Sequence, residues 1–277
     1  MKETRAEYLP VEKLRPFEGH PFKVVDNEEM DQLVWSILTQ GLLTPLVVRP
    51  LANGEYEVIS GHRRLHACKK AGIETVPALV YAIDRDAAAI ALVDSNLHRE
   101  HILPSEKAFA YKLKLEALNH QGTSGQLGQK WTRDVLAEGA DDSSRQIHRY
   151  IRLTNLVPGI LEKVDEGRIA LTPAVELSYL AEAEQKDLLE TMESEDCTPS
   201  LSQAIQLKQL SQAGKLDMDT IFGILTQPKA NQCEKISFRT DEVRKFFPKN
   251  YTPAQMQEVI LKLLGEYQRK RQRSQER

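Results

Sequence analysis

The apolar positions of this chain recur with mixed periods up to about residue 100 and with a helical period alone beyond it. Met30, Leu33, Val34, Ile37 and Leu38 fall on one helix face. Asn27 before them is a cap residue and Gly41 follows as a stop, so the pattern predicts an amphipathic helix ending near Gln40. Leu46–Arg49, Glu55–Ser60 and Val76–Ile83 read as strands, the first two joined by the hairpin signal Asn53-Gly54. A helix opens at His62 and closes near Gly72, and Asp84 caps another over 85–97. Residues 1–26, with Pro10, Pro16, Gly19 and Pro21, are expected to be irregular. This mixture predicts a compact α/β or α+β domain.

After His98-Arg99-Glu100 only helices are predicted. Pro104 starts one that carries Ala108, Tyr111, Leu115 and Leu118 to about Asn119. A polar, glycine-containing loop follows over 121–129, then a short helix around Val135–Glu138 and a turn at Gly139-Ala140-Asp141-Asp142. Ser143 or Ser144 caps the next helix, with Ile147, Tyr150, Ile151 and Leu153 on its apolar side. Further helices are predicted over 159–166, from a Thr172 cap with Pro173 at the first position, over 182–195 and over 200–213. Residues 227–235 read as a linker. Thr252-Pro253-Ala254-Gln255 is a capping-box signature before Met256, Val259, Ile260, Leu263 and Leu264. The expected organisation is 1–100, a small mixed α/β domain; 101–226, an all-helical domain; and 227–277, a linker with a small helical module. That module's apolar stripe calls for docking or dimerisation.

Composition narrows the partners. With 277 residues the chain can hold two or three domains, and its net charge of -3 makes any nucleic-acid surface local rather than general. No apolar stretch is long enough to span a bilayer, so no membrane partner is expected. Cys68, Cys197 and Cys233 are odd in number and widely spaced, which fits neither a disulfide framework nor a zinc knuckle and suggests a cytoplasmic setting.

Candidate chemistry concentrates at Ser60-Gly61-His62-Arg63-Arg64, where a strand gives way to a helix. Glycine permits a sharp turn and close approach, and a helix start presents unpaired N–H groups that favour an anion. Arg63 and Arg64 add forked donors suited to phosphate. A solvated basic first turn is the alternative, although cations there oppose the helix dipole. His62 and His66 have metal-ligand spacing, but the adjacent arginines repel a cation. Asp94-Ser95-Asn96-Leu97-His98-Arg99 offers oxygens near a helix end. Around 132–153 the short helix, turn and second helix fit a helix-turn-helix, whose second helix offers Ser144, Arg145, Gln146, His148, Arg149 and Arg152 with no acidic residue among them. An ordinary helical hairpin is the alternative.

Taken in order, Gly41-Leu42-Leu43-Thr44-Pro45-Leu46-Val47-Val48-Arg49, the SGHRR run at 60–64, the NLHRE run at 96–100 with Pro104 and Glu106, and the helix-turn-helix resemble the ParB family of partition proteins over roughly residues 7–215. Residues 236–256 resemble ParB-like proteins of mobile elements. The resemblance implies an α+β chain with a ParB/sulfiredoxin-like N-terminal domain and a helix-turn-helix middle domain. It implies a CTP- and Mg2+-dependent DNA clamp that binds a palindromic centromere-like site as a homodimer, associates with the nucleoid and works with a ParA-type ATPase. Gly61, His62, Arg63, Arg64, Asn96 and Arg99 would hold the nucleotide, with Asn96 also serving the metal.

The departures concern catalysis. Where the family has glutamates, this chain has His62 and Ser95, and its early Q-P-R motif reads His20-Pro21-Phe22. Asp94 is then the candidate for any weak CTPase activity. Sulfiredoxin chemistry is not expected, because His62 and Arg63 stand where its cysteine belongs. The rival functions are a transcription regulator or nucleoid-occlusion factor on the same scaffold, and a nuclease or phosphotransferase using the arginine turn.

Overall fold

The computed structural model describes residues 4–99, 101–120, 136, 142–227, 245–248, 251–252, 255–256, 258–260 and 262–265. The chain divides into one compact unit to Gln227 and a second from Pro228 onward. Chain expected to be irregular at the N-terminus instead supplies both edges of a sheet. Strand β1 (Thr4–Pro10) pairs antiparallel with β5 (Thr75–Tyr81), and β2 (Leu14–Pro16) pairs parallel with β4 (Tyr56–Ser60). Prolines end these edge strands without breaking a ladder. Most described residues of β1 are exposed, so no hydrophobic alternation marks it.

Strand β3 (Leu46–Pro50) lies inside the sheet, parallel to β5 and antiparallel to β4, giving the order β1-β5-β3-β4-β2. The β3–β4 hairpin closes as its sequence predicts: Gly54 has φ 80°, and the Asn53 side chain accepts the Glu55 N–H at 3.1 Å. On one face, Leu46, Val48, Val58 and Val76 are fully buried beneath α1 (Glu28–Gln40) and α2 (His62–Lys70). Asn27 caps α1 through the Met30 N–H at 3.1 Å. Leu38 does not join that core; it is 59% exposed, and Met30 and Ile37 are the buried anchors.

Ile59 faces the other way, as alternation in a strand requires. There it joins Ala88, Ala89, Leu92 and Val93 of α3 (Arg85–Asn96), a helix capped by Asp84 through the Ala87 N–H at 2.7 Å. The same core continues through Ala110, Tyr111, Ala117 and Leu118 of α4 (Pro104–His120) to Leu136 and Ile147. The sheet and the first helices of the helical region therefore share one apolar cluster.

Ile147 belongs to α5 (Ser144–Arg152), for which Ser143, of the two serines considered, is the cap; its hydroxyl accepts the Gln146 N–H at 3.3 Å. Helices α6 (Pro158–Asp165), α7 (Leu171–Leu177), α8 (Glu182–Ser194), α9 (Leu201–Gln212) and α10 (Met218–Leu225) enclose a further core. Thr172 is not the cap of α7: Ala170 holds that position, and Thr172 lies within the helix. Buried Gln185 spans this core, accepting the Val157 N–H at 2.8 Å and donating to Asn155 O and Leu180 O. In the second unit the predicted capping box is formed: Gln255 Oε1 accepts the Thr252 N–H at 2.9 Å. The loop over 121–129 and most of the short helix near 135–138 lie outside the described residues. The fold class is α+β, a mixed five-stranded domain followed by a helical region.

Leu92 is fully buried where sheet, α3 and α4 meet. Leu92→Ala is expected to lower stability by about 2–5 kcal/mol, measured by urea unfolding. A loss under about 0.5 kcal/mol would show that the shared cluster does not carry the fold.

Candidate anion site and helix-turn-helix face

Gly61 closes β4 and caps α2 with φ 104° and ψ 26°, a left-handed conformation that a side chain resists. A Cβ there would also come within 2.6 Å of Leu46 Cδ2. The turn is tied down by Arg64, whose Nη1 donates to Thr44 O at 2.5 Å and Pro45 O at 2.9 Å. Burial lowers the Arg64 pKa from its ordinary value, yet a guanidinium stays charged. Arg63 is more exposed and pairs with Glu29 of α1 at 3.0 Å. The residues quoted as the GLLTP segment and as the arginine turn are thus joined by direct hydrogen bonds.

His62 performs a task that the sequence did not disclose. Its Nε2 accepts the Phe17 N–H at 3.2 Å, anchoring the loop between β2 and α1. Its ring lies against that of His20, centroids 3.7 Å apart. Burial, then the His20 ring and Arg99, push His62 down to about 3; burial, with a smaller push from Arg99 and against a backbone hydrogen bond at Phe22 that raises it, takes His20 down to about 4. Both rings are therefore neutral near pH 7, and His62 carries its proton on Nδ1. His66 turns away to Asp26 at 3.0 Å, so His62 and His66 do not form the metal pair their spacing permits.

At the other side, Arg99 lies over the Phe22 ring, 5.5 Å from its centroid, and burial lowers its pKa. Asn96 is 4% exposed; its Nδ2 donates to Leu92 O at 2.7 Å and Ser95 Oγ at 3.2 Å, which directs the amide nitrogen into the helix. The Ser95 hydroxyl donates to Leu92 O at 2.9 Å. Asp94 pairs instead with buried Lys114 of α4 at 2.7 Å, the geometry of a structural ion pair. Cys68 is buried and its thiol is pushed up by that burial, the opposite of what a reactive thiolate needs.

The second helix of the helix-turn-helix pattern divides its polar residues. Arg145 and His148 are exposed, and Ser144 and Gln146 are partly so. Arg149 donates to Gln146 Oε1 at 3.1 Å and to Thr172 Oγ1 at 2.6 Å. Arg152 donates to Ser178 O at 3.1 Å and stacks on Tyr179, 3.9 Å from the centroid, with Lys208 also 3.9 Å from that ring. Arg145, Arg149 and Arg152 share one helical stripe, but its C-terminal end is occupied by α7 and the residues just beyond it. Asp142, before the cap, accepts from Lys107 Nζ at 2.9 Å and Tyr111 OH at 2.8 Å, which fixes the turn onto α4.

Sequence reasoning missed Phe17, Lys23 and the role of Glu106, because their contacts span 45 and 83 positions along the chain. The Q-P-R-like segment was the available signal for His20.

The site is set in a mixed sheet whose strand β4 turns through a left-handed glycine into an arginine-bearing helix, with further helices after it. The family model described as ParB N-terminal domain matches residues 1–97. It is 32% identical over 183 residues to a nucleoid occlusion protein of Listeria monocytogenes, covering 66% of this chain and 60% of that one. It is 31% identical over 182 residues to a probable chromosome-partitioning protein ParB of Pseudomonas putida, covering 65% and 59%. The chain thus spans about three fifths of the length of these curated relatives. Among solved structures, C-terminally truncated Caulobacter crescentus ParB complexed to the centromeric parS site aligns with TM-score 0.44 at 22% identity, covering 73% of this chain and 98% of that one. The same protein complexed with CTP-gamma-S aligns with TM-score 0.33 at 24% identity, covering 68% and 99%.

Two outcomes follow from this geometry. His20 and His62, both partly buried, bind a proton near pH 6.5 in the unfolded chain but only at about 4 and about 3 in the folded one. Between those limits the unfolded state holds more protons, so stability falls as pH falls. Calorimetry should show the melting temperature dropping from pH 6.5 to 4, less steeply in His62→Gln; identical slopes would refute the assignment. Gly61→Ala should cost at least about 1–2 kcal/mol from the left-handed backbone alone, read by denaturant unfolding.

Proposed function

We propose that the chain binds CTP with Mg2+ at the arginine turn and closes as a dimeric clamp on DNA, in partition or nucleoid occlusion. The observation that carries this reading is the left-handed Gly61 opening α2 beside Arg63 and Arg64. Helix-start N–H groups favour an anion there, and Arg63 and Arg64, which rest on Glu29 and on the Thr44 and Pro45 carbonyls, would supply guanidinium donors to a triphosphate. Arg99 supplies charge from the end of α3, and Asn96 keeps its carbonyl oxygen for the ion. Magnesium bound with phosphates needs only one or two protein oxygens, so this donor set fits it. The residues then group as a nucleotide domain over 1–100, a DNA-binding region over 101–226 and a C-terminal module over 227–277 that holds the dimer.

On DNA, Arg145, Gln146, His148 and Ser144 are the residues proposed to reach bases and phosphates from the major groove. Arg149 and Arg152 act partly through α7, orienting the helix. A palindromic site follows from a two-fold dimer. Nucleoid association and, for the partition role, a ParA-type ATPase partner complete the proposal. The relatives named above carry both functional names, and a role in nucleoid occlusion would use the same contacts without the ATPase.

Calorimetry with CTP and Mg2+ tests the central claim. Arg64→Ala should weaken binding by about 1.5–3 kcal/mol, some ten- to hundred-fold, because a charge-assisted phosphate contact is lost. Equal affinity in mutant and parent would sink the assignment.

Hydrolysis is expected to be slow. A hydroxyl at position 95 ligates Mg2+ more weakly than a carboxylate and cannot act as a base near neutral pH. Ser95→Glu should raise phosphate release measured with DNA present. Asp94→Ala should leave the rate unchanged but lower the melting temperature, because Lys114 would remain buried without its half-exposed partner. Loss of turnover in Asp94→Ala with the fold intact would make Asp94 catalytic.

A further inference from the structure

Strand β1 forms one edge of the sheet, and among the described residues no strand pairs with its outer side. Its ladder to β5 runs from Thr4 to Pro10 without a bulge. A regular, uncovered edge presents its outward N–H and C=O groups as a template for another strand. The usual guards are missing: from Thr4 to Leu9 there is no proline and no lysine, and the two charges, Arg5 and Glu7, are opposite in sign. The other edge differs, since β2 has only three residues and its Arg15 pairs with Glu55. By alternation Arg5, Glu7 and Leu9 lie on one face of β1, and Ala6 and Tyr8 on the other. Leu9 is buried in the core, whereas Arg5, Ala6, Glu7 and Tyr8 are exposed, Tyr8 to 77%.

We propose that β1 pairs antiparallel with β1 of a second copy of this chain, with Ala6 on the two-fold axis, so that two sheets join into one. An axis normal to the sheet keeps the faces matched, and each such register is centred on one residue. Centring on Arg5 sets Arg5 against Arg5, and centring on Glu7 sets Glu7 against Glu7; like charges directly opposite destabilise. Centring on Tyr8 sets Glu7 against Leu9 and Ala6 against Pro10, which has no N–H to give. Centring on Ala6 sets Arg5 against Glu7 of the other copy, twice, at the roughly 4.5–5.5 Å between Cβ atoms that suits a cross-strand ion pair. On the opposite face it sets Tyr8 against Thr4, beside the two small Ala6 side chains. Of the registers centred within Arg5–Tyr8, this one alone pairs unlike charges. The partner is a second copy because the strand is complementary to itself. This contact is separate from the one assigned above to the C-terminal module, and it uses no nucleotide.

Cysteine trapping on the full chain tests this. Ala6→Cys should give a disulfide-linked dimer under mild oxidation, because residue 6 meets its own counterpart. The parent chain, with its own cysteines, sets the background. Tyr8→Cys should not exceed that background, because at roughly 3.3 Å per residue its counterpart lies about 13 Å along the ladder. Both replaced side chains are exposed, so the fold is kept. Arg5→Glu in the Ala6→Cys chain puts like charges opposite each other at two places and should lower the yield by about fivefold. Adding Glu7→Arg restores both unlike pairs in exchanged positions and should recover the yield. An Ala6→Cys yield no higher than the parent's, a higher yield in Tyr8→Cys, or a yield indifferent to Arg5→Glu overturns the inference.

Discussion

The candidate site depends on one backbone constraint, the left-handed turn at Gly61. No side chain fits there, since a Cβ would meet Leu46, itself fully buried in the sheet. A side chain at this position would be strained by φ 104° and would press on the Leu46 side chain of β3. The turn brings Thr44 and Pro45 carbonyls to Arg64, and the arginine in turn holds the loop before β3. The turn costs little extra ordering, because the elements that form it are already fixed by the core.

Charge around the turn is arranged to stay positive without crowding. Arg63 and Arg64 stand side by side on α2, Arg63 paired with Glu29, and the nearby histidines are kept neutral by burial rather than adding to the repulsion. Neutrality is also what lets His62 accept the Phe17 N–H. A glutamate at position 62 could accept the same N–H while bringing negative charge toward a phosphate. The histidine keeps the structural bond and omits the charge.

Much of this was legible in the sequence where the cause is local. Asn27, Asp84, Ser143 and the Asn53-Gly54 turn act within four residues, so their signals survived intact. The arginine turn was readable for the same reason. The edge strands were not, because β1 buries little and is held by pairing with β5, seventy-odd residues away. Nor were the tasks of Asp94 and Glu106, whose partners come from other elements. A sequence displays the acid but not the lysine it will meet, so Asp94 looked like chemistry and sits on Lys114.

The same limit bears on the helix-turn-helix. A basic stripe on one helix reads as a surface for DNA, yet Arg149 and Arg152 spend donors on Thr172 and Ser178, and Arg152 stacks on Tyr179. Arginine serves both ends because its apolar stem and planar head pack while its charge persists. The contacts to α7 fix the helix that presents Arg145 and His148. Burying Ile147 in the core shared with α3 and α4 fixes it from beneath. That core also contains Phe22, the ring under Arg99. Phe22 and Ile147 lie in one packed cluster, which connects the ring under Arg99 physically with the helix that carries Arg145, since interiors close-packed at crystal density transmit small displacements rather than absorb them.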